Sequence, residues 1–349
     1  MSESGTSDLV AQLRAAIGLP GGRVKARDKV NQAMIRHWCD AMQDHNPVHV
    51  DPDAAAKSVH GAIVAPPAMM NAWTMQGLLP PHLRAADAPA SSTTTYGRLD
   101  AAGYTSVVAT DSEHDYDRYL RLGDDLTGFS TLTEVSEEKH TGLGIGHFVT
   151  TETEYRNQDD EVVGHMLFRI LKFKPGTGRV AAAAGAGGET AQKAHPTDSD
   201  HNEEAHPARP ERRETTLLYG EVEEGTVLAP CPIPITATLI VSTAIASRDY
   251  QDVHHDRELA IKRGSPDIFM NILTTSGLCS RYVTDWAGPE AILRRLAIRL
   301  GVPNYPHDTM TMTAQVTEKK PGGLIEVALR GSNRLGNHVT GTITLELPS

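Results

Sequence analysis

Two acid–histidine pairs in the 349-residue chain have the types and spacing to do chemistry. Asp249 and His254 lie in SRDYQDVHHD; Asp44 and His49 lie in MQDHNPVHVD, with Asn46 between them. A carboxylate and an imidazole five residues apart on a short loop can hold one water between them, the layout of general acid–base chemistry. Imidazole suits the task because its ordinary pKa lies near neutrality and a nearby carboxylate orients the ring. Taken singly, a turn aspartate is most often a cap, and a lone histidine is most often surface or hydrogen-bonded core. The spacing argues for more. Asp249 follows Asp44, and His254 follows His49, by the same 205 residues, so one loop is used twice and the domain is duplicated.

Each loop needs a frame. The first is followed by GAIVAPPAMMNAWTMQGLL, whose paired prolines belong at a helix start. Its apolar run Ala68–Leu79 is too continuous for a surface helix, so a buried central helix is expected. The second loop lies between a strand-like run, Ile233–Ala246, and a helix opening at Pro266 in SPDIFMNILTTSGLCSRYVTDW. β-Branched, alternating segments predict strands in TSVVAT, LTGFSTLTEVSEEK, GIGHFVTTETEYRN and VVGHMLFRILKF, then in LRRLAIRLGVPN, TMTMTAQVTEKK, LIEVALRGSN and HVTGTITLEL. Gly322–Gly323 and residues 333–337 read as hairpin turns. The expected class is α+β, with a curved antiparallel sheet around one central helix in each of two tandem domains. The boundaries read as 1–175 and 214–349, with residues 1–22 a loose arm carrying a short helix near Leu9–Ile17. Residues 176–213 are Ala/Gly-rich, then polar and Pro-punctuated, and are expected to be a flexible linker. Its His195, His201 and His206 read as solvated rather than metal-binding, because no cysteine or second ligand cluster accompanies them.

Composition narrows the function. Hydrophobic content of 39% and charged content of 22% are those of a globular protein. With net charge −11 and no long Lys/Arg block, nucleic acid is not an expected partner. Cys39, Cys231 and Cys279 form no CxxC pair and suggest a reducing compartment. Neither a signal peptide nor a run of about 20 apolar residues is read in the sequence, so a cytoplasmic protein without a membrane partner is expected.

The string D-x-N-P-V-H at 44–49 resembles the hydratase motif of the MaoC-like (R)-specific enoyl-CoA hydratases, whose hotdog fold is a central helix wrapped by an antiparallel sheet. Two tandem copies resemble the double-hotdog members of that family. A longer likeness is to the two-subunit actinobacterial hydratases of steroid side-chain degradation. GAIVAPPAMMNAWTM resembles their large subunit, and SRDYQDVHHDRELAIKRGSPDIFMNILTTSGLCSRYVTDWAGPEA their small catalytic subunit, so the chain reads as a fusion of the two. Nothing in the sequence matches the zinc-ribbon and OB-type tail of that large subunit, so any function of the tail is expected elsewhere.

The resemblance implies addition of water to a 2-enoyl-CoA thioester, with a steroid bearing an unsaturated side chain as acyl group. It implies no metal and no cofactor, CoA being part of the substrate. Catalysis is expected from Asp249 and His254. Helix N-terminal amides around Gly264, Ser265 and Asp267 are expected to stabilise the enolate-like oxygen. Asp44, Asn46 and His49 form a second or vestigial site, because Pro66 falls where the family has a donating glycine and proline has no N–H. The N-terminal half then becomes a module that accommodates a bulky acyl group. Arg294, Arg295 and Arg299 could hold the CoA phosphates, with a solvated strand face as the equal alternative. Asn271 and Ser276 are read as helix packing ahead of pocket polars, Tyr250 and Trp286 as core ahead of substrate stacking, and His255 as a loop residue. Oligomeric state stays open, a homodimer included. The competing functions are an (R)-specific hydratase of fatty enoyl-CoA, a thioesterase, and a silent acyl-CoA-binding subunit needing a partner.

Overall fold

The computed structural model describes residues 3–78, 94–178 and 208–349. Its strands fall where β-branched and alternating residues predict them. In the first half they are β1 Pro20–Lys25, β2 Ser106–Tyr116, β3 Thr127–Val135, the two-residue β4 Lys139–His140, β5 Ile145–Arg156 and β6 Val162–Phe173. The second half has β7 Val227–Ile235, β8 Ile292–Leu300, β9 Asp308–Lys320, β10 Leu324–Asn333 and β11 Gly336–Glu346.

All join one antiparallel sheet in the order β1-β3-β5-β6-β2-β8-β11-β10-β9-β7, with β4 pairing β5 off this path. If β4 is set aside, each half has the same order: its first strand lies outermost and its second lies at the seam. The halves meet where β2 pairs β8, with Asp111 opposite Arg299 and Asp115 opposite Arg295. Two separate sheets would leave two further edges of unpaired N–H and C=O groups; the seam closes both.

The duplication extends to the helices that cover the sheet. Gln32–Met42 is capped by Asn31, whose side chain accepts from Met34 N at 3.0 Å. Its counterpart 205 residues on, Ala237–Ala246, is capped by Thr236, which accepts from Leu239 N at 3.0 Å. This corrects the strand expected over Ile233–Ala246: β7 ends at Ile235 and the remainder is helix. The β-branched residues Ile240, Val241 and Ile245 suggested extension, but the Thr236 cap and burial on a helical face prevail.

The second half's central helix is Ile272–Ala287, and all its residues except Trp286 are buried. It opens at Ile272 rather than at Pro266. The first half departs from the long helix expected over Ala68–Leu79. After one 3-10 turn at Pro67–Met69, an α-helix covers Met70–Thr74, and Met75–Leu78 are non-helical, with Gly77 at φ +62°. Residue 79 lies outside the described residues. The two halves share a main core in which Trp38, Met42, Trp73, Leu278 and Val283 are all buried. Gly277 lies against the first half so closely that an added Cβ would sit 2.9 Å from Met42 Sδ and 3.0 Å from the Trp38 ring.

Most of the expected linker, with His195, His201 and His206, lies outside the described residues. Its described end is docked on the protein rather than free, as the arginine contacts below show.

Candidate active site

Asp249 follows the helix Ala237–Ala246 through Arg248, which adopts the left-handed conformation at φ 59° and turns the chain back so that Asp249 N bonds Ala244 O at 3.0 Å. His254 ends a 3-10 turn, Asp252–His254. The turn brings His254 Nε2 to 3.5 Å from Asp249 Oδ2, and both side chains are buried. His254 Nδ1 lies 2.7 Å from Phe269 O. A carbonyl accepts only, so the neutral ring carries its proton on Nδ1 and turns the Nε2 lone pair toward the carboxylate. Phe269 also meets the imidazole edge-on, with ring centroids 5.1 Å apart, which fixes the ring plane.

A third residue completes the arrangement. Asn271 caps the central helix: its Oδ1 accepts from Thr274 N at 2.8 Å. That fixes the amide orientation and leaves Nδ2 to donate to Asp249 Oδ2 at 3.1 Å and to Ser247 Oγ at 3.0 Å. One asparagine therefore ties the start of the helix to the acid. The sequence favours helix packing over a pocket polar for Asn271. The signal that identifies it is the duplication itself, since Asn271 stands 205 residues after Pro66, where the family resemblance puts a donor.

Gly264, Ser265 and Asp267 do not form the helix N-terminus expected of them. Gly264, at φ +93°, and Ser265 close the C-terminal end of the helix Arg257–Lys262, their amides bonding Ile261 O at 2.9 Å and Ala260 O at 3.0 Å. Asp267 then accepts from Ile268 N at 2.8 Å within the turn. Proline at 266 marked a turn here, and the helix begins six residues later, where Ile272 and Leu273 supply amides with no earlier carbonyl to bond.

The first half carries the same loop with different company. His49 Nδ1 lies 2.8 Å from Val64 O, matching His254 and Phe269 at the 205-residue offset. Asn46 caps the short helix Pro47–Val50, accepting from Val48 N at 3.2 Å. Asp44, however, is engaged by Arg212 from the docked linker end, with Arg212 NH2 2.7 Å from Asp44 Oδ1. Arg212 also pairs with Asp285 on the central helix, Arg209 bonds both Asp285 and Gln43 O, and the buried Arg281 donates to Met42 O. Burial opposes ionisation of Asp44, yet His49, Arg212 and the Asn46 N–H together hold its carboxyl below the usual carboxylate range. Burial holds His49 below the ordinary imidazole range despite Asp44. Pro66 precedes the 3-10 turn without an N–H to offer. Arg212 belongs to no motif, and nothing local in the sequence announces it.

The three arginines proposed for CoA phosphates part company. Arg295 bridges the seam to Glu113 and to Asp115 at 2.7 Å, while Arg294 is 2.6 Å from Glu346 and donates to Asp117 O. Both are neutralised by carboxylates; Arg299 remains 76% exposed, 3.9 Å from Asp111. Among the described residues no group of three His, Cys, Asp or Glu side chains is arranged to hold a metal ion, and no helix is long and apolar enough to cross a membrane.

Comparison with known proteins bears on the family and the fold. The family model "FAS1-like, dehydratase domain region" matches residues 15–166, and "MaoC like domain" matches residues 220–333. The chain is 53% identical over 123 residues to the 3-oxo-4,17-pregnadiene-20-carboxyl-CoA hydratase beta subunit of Mycobacterium tuberculosis, covering 35% of this chain and 95% of that protein. It is 42% identical over 175 residues to the alpha subunit of the same name and organism, covering 49% of this chain and 54% of that one, so it spans about half of the alpha subunit's length. Among solved structures, one titled MaoC-like dehydratase superposes with TM-score 0.71 at 19% identity, over 97% of this chain and all of that one. A MaoC-like dehydratase from Phytophthora capsici gives 0.61 at 13%, over 97% and 98%. At these identities the two structures report the fold, a tandem double hotdog.

Proposed function

We propose that this chain, which belongs to the MaoC-like hotdog hydratases, adds water across the α,β-double bond of a steroid side-chain enoyl-CoA. One polypeptide would then combine what the mycobacterial relative divides between alpha and beta subunits. The observation that carries the reading is the Asp249–His254 pair, facing at 3.5 Å with the Nε2 lone pair toward the carboxylate.

In this reading a water donates to both Asp249 and His254 Nε2, which leaves its lone pair toward Cβ of the enoyl group. The pair takes one proton from the water as the oxygen bonds to Cβ, and returns one proton to Cα. Negative charge that gathers on the thioester oxygen is met by the first amides of the helix at Ile272 and Leu273, where the helix dipole adds to the hydrogen bonds. Asn271 positions Asp249 relative to that helix start, so acid, base and oxyanion donors share one rigid origin. The steps call on no metal or redox group; CoA belongs to the substrate.

The first half is then the module that accommodates the acyl group. Its Asp44 is committed to Arg212, and its helix Met70–Thr74 is only five residues long where the second half's has sixteen. The non-helical Met75–Leu78 lies by the second site: a Cβ on Gly77 would sit 3.2 Å from the ring of Tyr250, next to Asp249. Arg299 is the exposed cation that remains to meet CoA phosphates.

The test is loss of the unsaturated-thioester absorbance with purified full chain, a steroid enoyl-CoA and crotonyl-CoA in parallel. Strong preference for the steroid thioester supports the proposal. Equal or better turnover of crotonyl-CoA makes the chain a general enoyl-CoA hydratase, and binding without turnover makes it a silent subunit.

A further inference from the structure

One cross-strand row of side chains runs from β3 to β9 on the side facing the helices. Register places Ser130, Thr153, Met166 and His114 in the first half next to Leu296, Ile343, Val327 and Val316 in the second. The second-half members are apolar and buried under a sixteen-residue helix. In the first half the same row is mostly polar, and so is the next, where Tyr155, Gly164 and Tyr116 are paired neighbours. Gly164 marks this as the helix side, because a Cβ there would sit 3.0 Å from Met70 Sδ.

Part of this polarity is satisfied internally. Ser130 and Thr153 bond at 2.8 Å, Ser112 and His114 Nε2 at 2.8 Å, and Tyr155 donates to Asn71 Oδ1 at 3.2 Å. Three atoms are not: Tyr116 OH, His114 Nδ1 and Trp73 Nε1 are buried with no hydrogen-bond partner. The Tyr116 and His114 rings stack at 5.8 Å. Trp73 lies one helical turn beyond Met70 and so shares its sheet-facing side. Burial lowers His114 to about 4 and keeps it neutral near pH 7. Interior polar atoms with unmet capacity are uncommon, because leaving them unpaired is costly. Clustered on one face they point to a ligand that supplies the missing partner.

We infer that this face recognises an oxygen substituent, a ketone or hydroxyl, at the end of the acyl group remote from the thioester, through Tyr116, His114 and Trp73. The inference rests on the proposed hydratase reading and adds to it the basis of acyl selection. The path is short: Asn71 bonds Tyr155 on this face, Thr74 ends the helix, and Gly77 lies where an added Cβ would sit 3.2 Å from the ring of Tyr250 in the hydratase loop. Three extended residues span about 10 Å. A rigid polycyclic acyl group entering past Tyr250 would place its far end over the polar row.

The test uses two saturated steroid acyl-CoAs, which cannot be hydrated, one with a distal ketone and one with that position reduced to CH2. Their Kd values on the full chain are measured by calorimetry. Wild type is expected to prefer the ketone by about tenfold or more, and Tyr116→Phe to cut that preference by about tenfold. Trp73→Phe is the second variant, with the same direction expected. A wild type that does not distinguish the two ligands overturns the inference, as does a preference untouched in both variants. Turnover of the unsaturated thioesters by wild type is read separately. Ketone preference without turnover removes the hydratase reading and keeps the subsite, and turnover without preference does the reverse.

Discussion

Replacing Arg212 by methionine separates an acid that holds the fold together from an acid that does chemistry. Arg212 is 15% exposed and Asp44 8%, their contact is 2.7 Å, and the same guanidinium reaches Asp285. Removing one partner of a buried pair leaves a desolvated charge and costs about 3–5 kcal/mol. Because two carboxylates lose a partner here, the upper part of that range is expected. Asp44→Asn removes the charge that Arg212→Met strands, so the double variant should recover a good part of the loss, with a coupling energy of about 1–3 kcal/mol. The assay is urea unfolding of the four proteins of the cycle, with hydratase turnover measured per folded molecule. Its pH dependence has a definite sign. The folded Asp44 carboxyl titrates below its unfolded value of about 3.9. Its contribution is therefore present above that pH and lost as pH falls through the folded value, so the gap between wild type and Arg212→Met narrows in acid. Turnover per folded molecule is expected to stay close to wild type. Additive effects of the two substitutions, or a collapse of turnover with stability intact, would refute the assignment of Arg212 and Asp44 to structure.

Three further outcomes follow from the same contacts. Asn271→Ala removes a helix cap and a charge-assisted bond to Asp249, so it should cost about 2–4 kcal/mol by thermal or urea unfolding. It should also lower kcat more than it raises KM. Gly277→Val drives a side chain into Met42 and Trp38 at the junction of the halves, an overpacking of about 1–3 kcal/mol seen as a lowered unfolding midpoint. Arg295→Ala breaks the seam pairs with Glu113 and Asp115; partly exposed pairs of this kind are worth about 1 kcal/mol or less each, so a small stability loss without a change in CoA affinity is expected.

Much of the scaffold was legible because strand and hairpin signals are local. VVGHMLFRILKF and LIEVALRGSN alternate along their length and are strands over the residues expected, Val162–Phe173 and Leu324–Asn333. Helix boundaries were less legible where composition and capping disagree. Ile240, Val241 and Ile245 have strand-like composition, yet Thr236 caps a helix there, and Pro266 resembles a helix start although Asn271 is the cap. The 205-residue repeat holds the missing information, since it carries the helix Gln32–Met42 onto Ala237–Ala246 and Pro66 onto Asn271. The acid–histidine pairs were visible for the opposite reason: five residues on one loop set their geometry. What pairing cannot reveal is long-range company. Arg212 reaches Asp44 across 168 positions, and the unpartnered Tyr116 OH and His114 Nδ1 emerge only when the register lays Tyr116 beside Gly164 and His114 beside Leu296.

The central claim is that water is activated in the second half. The direct measurement is steroid enoyl-CoA turnover by Asp249→Asn and His254→Ala beside Asp44→Asn and His49→Ala, each corrected for the folded fraction. The account predicts losses of about 10²–10⁴ in kcat for the first two, and near wild-type turnover per folded molecule for the second two. Fatal substitutions at Asp44 and His49, with Asp249 and His254 dispensable, would contradict it.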